Sequence, residues 1–348
     1  MYHSDLSQAE GSRATVRDVA ARAGVSPTVV SHVLNGRVNG IRVSLATAER
    51  VKSAALALGY RRNSLAGSLR DKRTFVLGVL HGAAVARPRF SFGSRYFATL
   101  MDGIVDGAFE HGYSVTLCPK LLGDSQAEGI ADGRFDGLIW YQRRDTKEDE
   151  QTAASCLLPM VFIHSSIGGT NSIWPSVSCD NDQGAFLALQ HLAELGHKKV
   201  AFAIEPWAQN GEGITRIHSF QAACQLLGLR GEVVLFRPDL PKKLTLIEEG
   251  FTGVLAWNDE AAGALMRRLV EQGARLPEEV SVIGFDSTSY CSELSPKLTS
   301  VHQPLHEIGR AAAELLIKQI SGEEVGVQPF LLPCRLDIRE STTPARLP

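Results

Sequence analysis

Between Phe75 and Phe285 the chain repeats one pattern, a short apolar run of strand length followed by a stretch with helical spacing. The runs are FVLGVL (75–80), YSVTLC (113–118), FDGLIWY (135–141) and PMVFIH (159–164), then KKVAFAI (198–204), EVVLF (232–236), TGVLAW (252–257) and VSVIGF (280–285). Helical patterns intervene, among them FATLMDGIVDGAFEHG, DNDQGAFLALQHLAELGH, RIHSFQAACQLLGL and NDEAAGALMRRLVEQG. Strands that alternate with helices form crossovers, which set successive strands parallel with helices on the faces. Two series of four predict two similar α/β subdomains rather than one large sheet.

The residues before Phe75 obey other rules. From Gly11 to Arg73 there are twelve Lys or Arg and only Asp18, Glu49 and Asp71 against them, a surplus of nine in a chain whose formal charge is -2. Such asymmetry marks two parts with different partners, and a basic patch steers toward phosphates. Within it, Thr15 followed by Asp18 has capping-box spacing. Val16, Val19, Ala20 and Ala23 share one helical face, and Gly24 breaks the helix, with Val25 as a core plug. Ser26-Pro27 restarts a helix as N-cap and first helical residue. Val29, Val30, Val33 and Leu34 give that second helix its buried side, leaving Thr28, Ser31, His32 and Asn35 outward. This is either a helix-turn-helix or an αα-hairpin that merely packs, and the charge surplus favours the first.

Several classes are excluded. The six cysteines are scattered, with no CxxC and no His at zinc spacing, so they read as buried reduced thiols and no metal or cofactor is expected. MYHSDLSQAE holds no apolar run for a signal peptide, and no window suits a membrane helix, so a cytoplasmic location is expected. GxSxG, HExxH and P-loop motifs are lacking, and GEGITR (211–216) lacks the third glycine of a dinucleotide fingerprint, so no enzyme is expected.

In open α/β sheets ligands sit beyond the carboxyl ends of the strands. The polar residues there are His81, His164, Asn258-Asp259 and Asp286, and Arg216 opens a helix facing the same cleft. Such a set suits a polyhydroxylated or anionic small molecule. Asn258 is equally suited to cap the helix it precedes, and Asp286 to close a turn. Trp257 is the favoured stacking platform, while Trp140, Tyr141, Trp174 and Trp207 read first as core or hinge packing.

TVRDVAARAGVSPTVVSHVLNG, continued by RVSLATAERVKSAALALGYRRNSLAGSLR, resembles the opening of the lactose-repressor (LacI/GalR) family of bacterial regulators. AELGHKKVAFAI, WNDEAAGALMRRLVEQGARLPEEVSVIGFDS, SPKLTSVHQP and CRLDIRESTTP resemble the effector domain which that family shares with periplasmic sugar-binding proteins. The resemblance implies an α/β chain: an N-terminal all-α helix-turn-helix headpiece plus a two-subdomain, periplasmic-binding-protein-like effector domain with parallel sheets. It implies a disordered tail (1–13), a DNA-binding domain (14–61), a hinge helix (62–73) and an effector and dimerisation domain (74–345). Within the last, the N-subdomain would hold about 74–165 and 302–328, and the C-subdomain about 166–301 and 329–345.

By the same resemblance Pro27, Thr28, Ser31 and His32 face the major groove, while Thr15, Ser44 and Asn63 hold backbone. Leu69 is the hinge leucine that wedges into the minor groove, and Val16, Ser26, Asn35 and Ala66 complete the DNA-binding set. Arg216, Asn258 and Asp286 match the main effector-contacting positions, joined by His81, His164 and Trp257. Pro27 can offer a base only an apolar contact, His32 stands where many relatives carry Arg, and Ser219 stands where the family usually has Gly. GRVNGIRV and GAAVARPRFSFGSRYF (82–97) are longer than usual, and GDSQAEGIADGRFDG is shorter. The expectation is a repressor that binds a near-palindromic double-stranded operator as a homodimer. A small-molecule effector in the cleft, a sugar or sugar derivative, would control it. No heptad extension follows RESTTPARLP, which favours a dimer over a tetramer. The alternative, a solute-binding module without DNA function, calls for a signal peptide and no basic head.

Overall fold

The computed structural model describes residues 14–35, 42–61, 73–81, 95–117, 133–141, 147–164, 173–209, 211–238 and 244–345. The chain divides into two compact units, residues 1–72 and 73–348.

The first unit is all-α in its described part: α1 (Val16–Ala23), α2 (Pro27–Asn35) and α3 (Leu45–Ala57). Gly24 ends α1 in the left-handed conformation (φ 62°), which glycine adopts without steric cost. Val19, Ala20, Ala23, Val30, Val51, Ala54 and Ala55 form the core, with Val16, Val25, Val33 and Leu34 packed at its edge. The apolar spacing of each helix therefore meets at one small centre.

The second unit carries two sheets of six strands each. The first has the order β11-β5-β4-β3-β1-β2, built from β1 (Val76–His81), β2 (Ser114–Leu117), β3 (Gly137–Tyr141), β4 (Met160–Ile163), β5 (Ser176–Cys179) and β11 (Phe330–Leu332). The second has the order β12-β10-β9-β8-β6-β7, built from β6 (Lys199–Ile204), β7 (Arg230–Leu235), β8 (Gly253–Ala256), β9 (Ser281–Asp286), β10 (Thr299–His302) and β12 (Arg335–Asp337). All pairings are parallel except β10 with β12. The helices are α4 (Arg95–Glu110), α5 (Lys147–Ser155), α6 (Asn181–Glu194), α7 (Glu212–Leu227), α8 (Asp259–Glu271) and α9 (Leu305–Ser321).

Two differences from the sequence reading stand out. Each sheet has six strands rather than four, because β5, β10, β11 and β12 are three or four residues long. Ser, Cys, Thr and His interrupt the apolar run in β5 and β10, so periodicity does not reveal them. The subdomain seams also move. β5 and β11 pair with each other in the first sheet, whereas the expected division gave both segments to the C-subdomain. Backbone pairing, not apolar patterning, decides that membership.

Helices α4 and α9 cross at backbone contact. A methyl on Gly103 would fall 1.9 Å from the His306 carbonyl oxygen, and one on Gly309 would fall 2.1 Å from that of Leu100. Among the described residues no helix is long and apolar enough to cross a membrane.

Candidate functional site

In the first unit three hydroxyl residues cap three helices. Thr15 and Asp18 make the reciprocal pair: the Asp18 carboxylate accepts from the Thr15 N–H at 2.8 Å, and Thr15 Oγ1 accepts from the Asp18 N–H at 3.4 Å. The Thr15 N–H and hydroxyl both donate to that carboxylate and hold the Asp18 carboxyl below its ordinary pKa. Ser26 Oγ accepts from the Val29 N–H at 3.3 Å, and Ser44 Oγ from the Thr47 N–H at 3.2 Å. Thr15, Ser26 and Ser44, expected at DNA, thus first serve to fix the helix starts. Val16 is half-buried at the edge of the core.

Pro27 and Thr28 are exposed, and Ser31 and His32 half-exposed, on the start and outer face of α2. Arg17, Arg22, Arg42, Arg50, Lys52 and Arg61 are exposed as well, with only Lys52 paired, to Glu49 at 3.1 Å, among the ion pairs described. The backbone of Asn35 closes α2. Asn63, Ala66 and Leu69, and the 82–94 part of the long loop, lie outside the described residues.

In the second unit the polar residues converge at the carboxyl ends of both sheets. Arg216 on α7 is 4% exposed yet ionic, so its partners must be internal. Its Nε donates to Asn181 Oδ1 at 3.1 Å and its Nη1 to the Trp257 carbonyl. The guanidinium lies 3.8 Å from both Asp286 and Glu212, and 3.9 Å over the Phe285 ring. Burial pushes the Asp286 carboxyl well above the usual carboxylate range, opposed by Arg216. Gln303 Nε2 donates to Asp286 Oδ1 at 2.5 Å.

His164, just past β4, has φ 54°, and Asp286 at the end of β9 has φ 120°. Backbone strain of this kind in non-glycine residues clusters where side chains are held for function. The His164 Nδ1 lies 3.0 Å from Ser178 Oγ, whose hydroxyl donates to Glu212 Oε1 at 3.3 Å. Because Ser178 has one hydrogen and gives it to a carboxylate, His164 Nδ1–H donates to Ser178, and Nε2 is left a bare acceptor. That nitrogen is buried without a partner, as is Gln303 Oε1. Burial lowers the His164 pKa to about 4, so the ring is neutral. Tyr96, at the start of α4, faces His164 and Tyr141 with ring centres 6.0 and 6.1 Å away.

Asn258 accepts from the Ala261 N–H at 2.7 Å and so caps α8. Trp257 is half-buried. Its indole N–H donates to Glu205 at 3.1 Å, and its ring meets Trp207 edge-on at 5.3 Å. Glu205, Pro206, Trp207, Arg237 and Pro238 line a cavity of about 540 Å³ beyond the ends of β6 and β7. Trp140 is fully buried as a core residue, while Trp207 is 45% exposed and packs through its edge-on contact with Trp257. His81 ends β1, paired with Tyr141. Arg95, the first residue of α4, pairs with Glu293, which follows β9 in the chain, at 2.7 Å.

Glu212, Asn181, Ser178, Gln303 and Tyr96 were not singled out from sequence. Glu212 stands four residues before Arg216 on one helix, an i,i+4 pairing legible in hindsight. The others come together only through chain crossovers. The thiols, scattered in sequence, also converge: Cys179 and Cys334 are neighbours, and that contact first, then burial, raises the Cys179 pKa.

Residues 15–63 match the family model for bacterial regulatory proteins of the lacI family, and residues 189–342 match that for a periplasmic binding protein-like domain. The chain is 30% identical to catabolite control protein A of Priestia megaterium, over 94% of this chain and 99% of that protein. It is 30% identical to the HTH-type transcriptional repressor PurR of Vibrio atlanticus (strain LGP32), over 89% and 93%. A solved complex of the transcriptional regulator CelR with cellobiose superposes with a TM-score of 0.65 at 27% identity, over 95% and 100%.

Proposed function

Since this chain belongs to the lacI family of bacterial regulatory proteins, we propose that it is a DNA-binding transcriptional repressor governed by a small molecule in the cleft of its second unit. It binds a near-palindromic operator as a homodimer, with two copies of α2 about one helical turn, roughly 34 Å, apart. In our reading Thr28, Ser31 and His32 meet base edges and Pro27 an apolar base surface. Thr15, Ser26 and Ser44 set the helix N-termini against phosphates, with Asn35 and Asn63 as further polar contacts. Ala66 and Leu69 belong to the segment we assign to the minor groove, where an apolar wedge kinks the duplex at a flexible step.

The effector reading rests on one observation, the buried acceptors. His164 Nε2 and Gln303 Oε1 are unpartnered, and the amide nitrogen of the same Gln303 donates to the Asp286 carboxyl. Acceptors call for donors, so the ligand that suits them is rich in hydroxyl groups. Arg216, Asn258, Trp257 and His81 complete the proposed contact set. A sugar or sugar derivative fits, and CelR, a structural relative, is solved with cellobiose. The effector shifts the relative orientation of the two sheets only if it binds one state better than the other. As the relatives are regulators, we read the cleft as a sensor rather than an enzyme and the protein as cytoplasmic. A sensor returns its ligand unchanged after long incubation.

Selection from random duplex DNA at physiological salt, followed by sequencing, tests the reading. A two-fold symmetric site with a central flexible step is expected. That site then serves to screen sugars for a change in affinity. No enrichment, with or without metabolite extract, would remove the DNA-reading role.

A further inference from the structure

The cavity beyond β6 and β7 shares no described lining residue with the buried cluster around Arg216, yet Trp257 joins the two. The Trp257 carbonyl accepts from Arg216 Nη1. Its indole N–H donates to Glu205 at 3.1 Å, and its ring meets that of Trp207 at 5.3 Å. Glu205 and Trp207 line the cavity, together with Pro206, Arg237 and Pro238. We propose that this cavity is a second sugar subsite, so that the effector is a glycoside of two or more rings with its outer ring stacked on Trp207. The proposal rests on the sugar reading of the inner site given above.

The walls of this cavity are held by the fold itself. Trp207 sits in a 3-10 turn, Pro206–Ala208, in which Ala208 is buried and its N–H donates to the Glu205 carbonyl at 2.9 Å. That turn lies in backbone contact with the start of α7. A methyl on Gly213 would fall 1.7 Å from the Ala208 carbonyl oxygen. Arg216 follows on the same helix, so the Trp207 platform and the inner anchor are fixed to one element. The β7 side is pinned as well. The Phe236 N–H donates to the Ile204 carbonyl at 2.9 Å, and the Pro238 carbonyl accepts from Arg268 Nη2 of α8 at 3.0 Å. Proline at 206 and 238 fixes the backbone φ at both places. A site shaped in advance loses little ordering entropy when a ligand enters.

The lining has the chemistry of a sugar ring's two surfaces. Trp207 is 45% exposed, which leaves much of a large flat apolar side chain open at the cavity. An indole face is electron-rich and attracts the partly positive C–H bonds on the flat side of a pyranose. The rim of such a ring carries hydroxyls, which both donate and accept. Among the described lining residues Glu205 supplies an acceptor and Arg237 a donor, one charge of each sign. The volume, about 540 Å³, falls within the range of small-molecule sites.

The test is titration calorimetry of the full chain with single-ring sugars against two-ring sugars built from them: glucose with cellobiose and maltose, galactose with lactose, xylose with xylobiose. At least one two-ring sugar should bind about tenfold tighter than its single ring, or better. Trp207→Ala should lower that affinity about tenfold and leave the single ring within about twofold, while Trp207→Phe keeps most of it. The wild type gives a check that needs no variant. The two-ring sugar should shield tryptophan fluorescence from acrylamide more than its single ring does, because Trp207 is the most exposed of the four tryptophans. Single rings that bind as tightly as their two-ring partners, equal losses for both in Trp207→Ala, or no added shielding would each overturn the subsite and leave the inner site standing. Binding of no sugar of either kind would remove the sugar reading and the subsite with it.

Discussion

The guanidinium carbon of Arg216 stands 3.9 Å from the centre of the Phe285 ring, while the next residue, Asp286, lies 3.8 Å from the guanidinium edge. One side chain is thus clamped on its face by an aromatic and on its edge by a carboxylate, Asn181 and the Trp257 carbonyl. A planar cation alone satisfies all of these, which makes lysine a poor substitute. Arg216→Lys should abolish the response to whichever sugar the screen selects, with operator affinity within about threefold of wild type. A normal response from the mutant, measured as operator affinity against sugar concentration, would refute the assignment.

Protonation of His164 should destabilise the second unit. The folded-state pKa is about 4 against an ordinary 6.5, so between these values the unfolded chain binds the proton and the folded chain does not. Stability is therefore full above about pH 6.5 and lost as pH falls toward 4, by about 3 kcal/mol in total from this group. Denaturant titrations across that range should show the loss, and His164→Gln should remove most of the slope. An unchanged slope would assign the effect to other groups.

Gly309 has no room for a side chain, since its added methyl would lie 2.1 Å from the Leu100 carbonyl oxygen. Gly309→Ala should force α4 and α9 apart at a cost of about 3 kcal/mol. Differential scanning calorimetry would register a lower transition for the second unit. An unshifted transition would mean that the helices separate freely.

Thr15→Ala removes a hydroxyl that caps α1, and should cost the first unit about 1 kcal/mol. Its melting, followed by circular dichroism on a fragment of residues 1–72, is the measurement if that fragment folds alone; otherwise hydrogen exchange of α1 in the full chain serves. Faster exchange confined to the first unit is the expected result, and equal exchange speaks against the cap.

His32 is half-exposed on α2 and can give a base one hydrogen bond. His32→Ala should relax base preference at one symmetry-related pair of operator positions, by about 1 kcal/mol per site, the worth of one hydrogen bond. Repeating the DNA selection with the variant reads this directly. A uniform loss across all positions would make His32 a phosphate contact instead.

The alternation of apolar runs was enough to place eight strands and to predict parallel sheets, because the inner strands such as β4, β8 and β9 need burial on both faces, while β2 and β7 at the sheet edges stay partly exposed. Capping chemistry was as readable: Thr15, Ser26 and Pro27 announce helix starts through local bonds that involve no distant residue. Helix α9 has no side-chain cap to announce its start, and β5, β10, β11 and β12 are too short to declare themselves by apolar run.

What the sequence alone determined, then, is whatever depends on neighbours in the chain: periodicity, caps, turns and the charge surplus of the first 73 residues. Only the tertiary structure decided which strands share a sheet, because pairing joins segments as distant as Cys179 and Leu332. It also decided that Arg216, Asp286 and Gln303 are linked in one buried place, and that Glu212, Asn181, Ser178 and His164 join them. Those contacts depend on crossovers between two sheets, and no local pattern records where a chain will return.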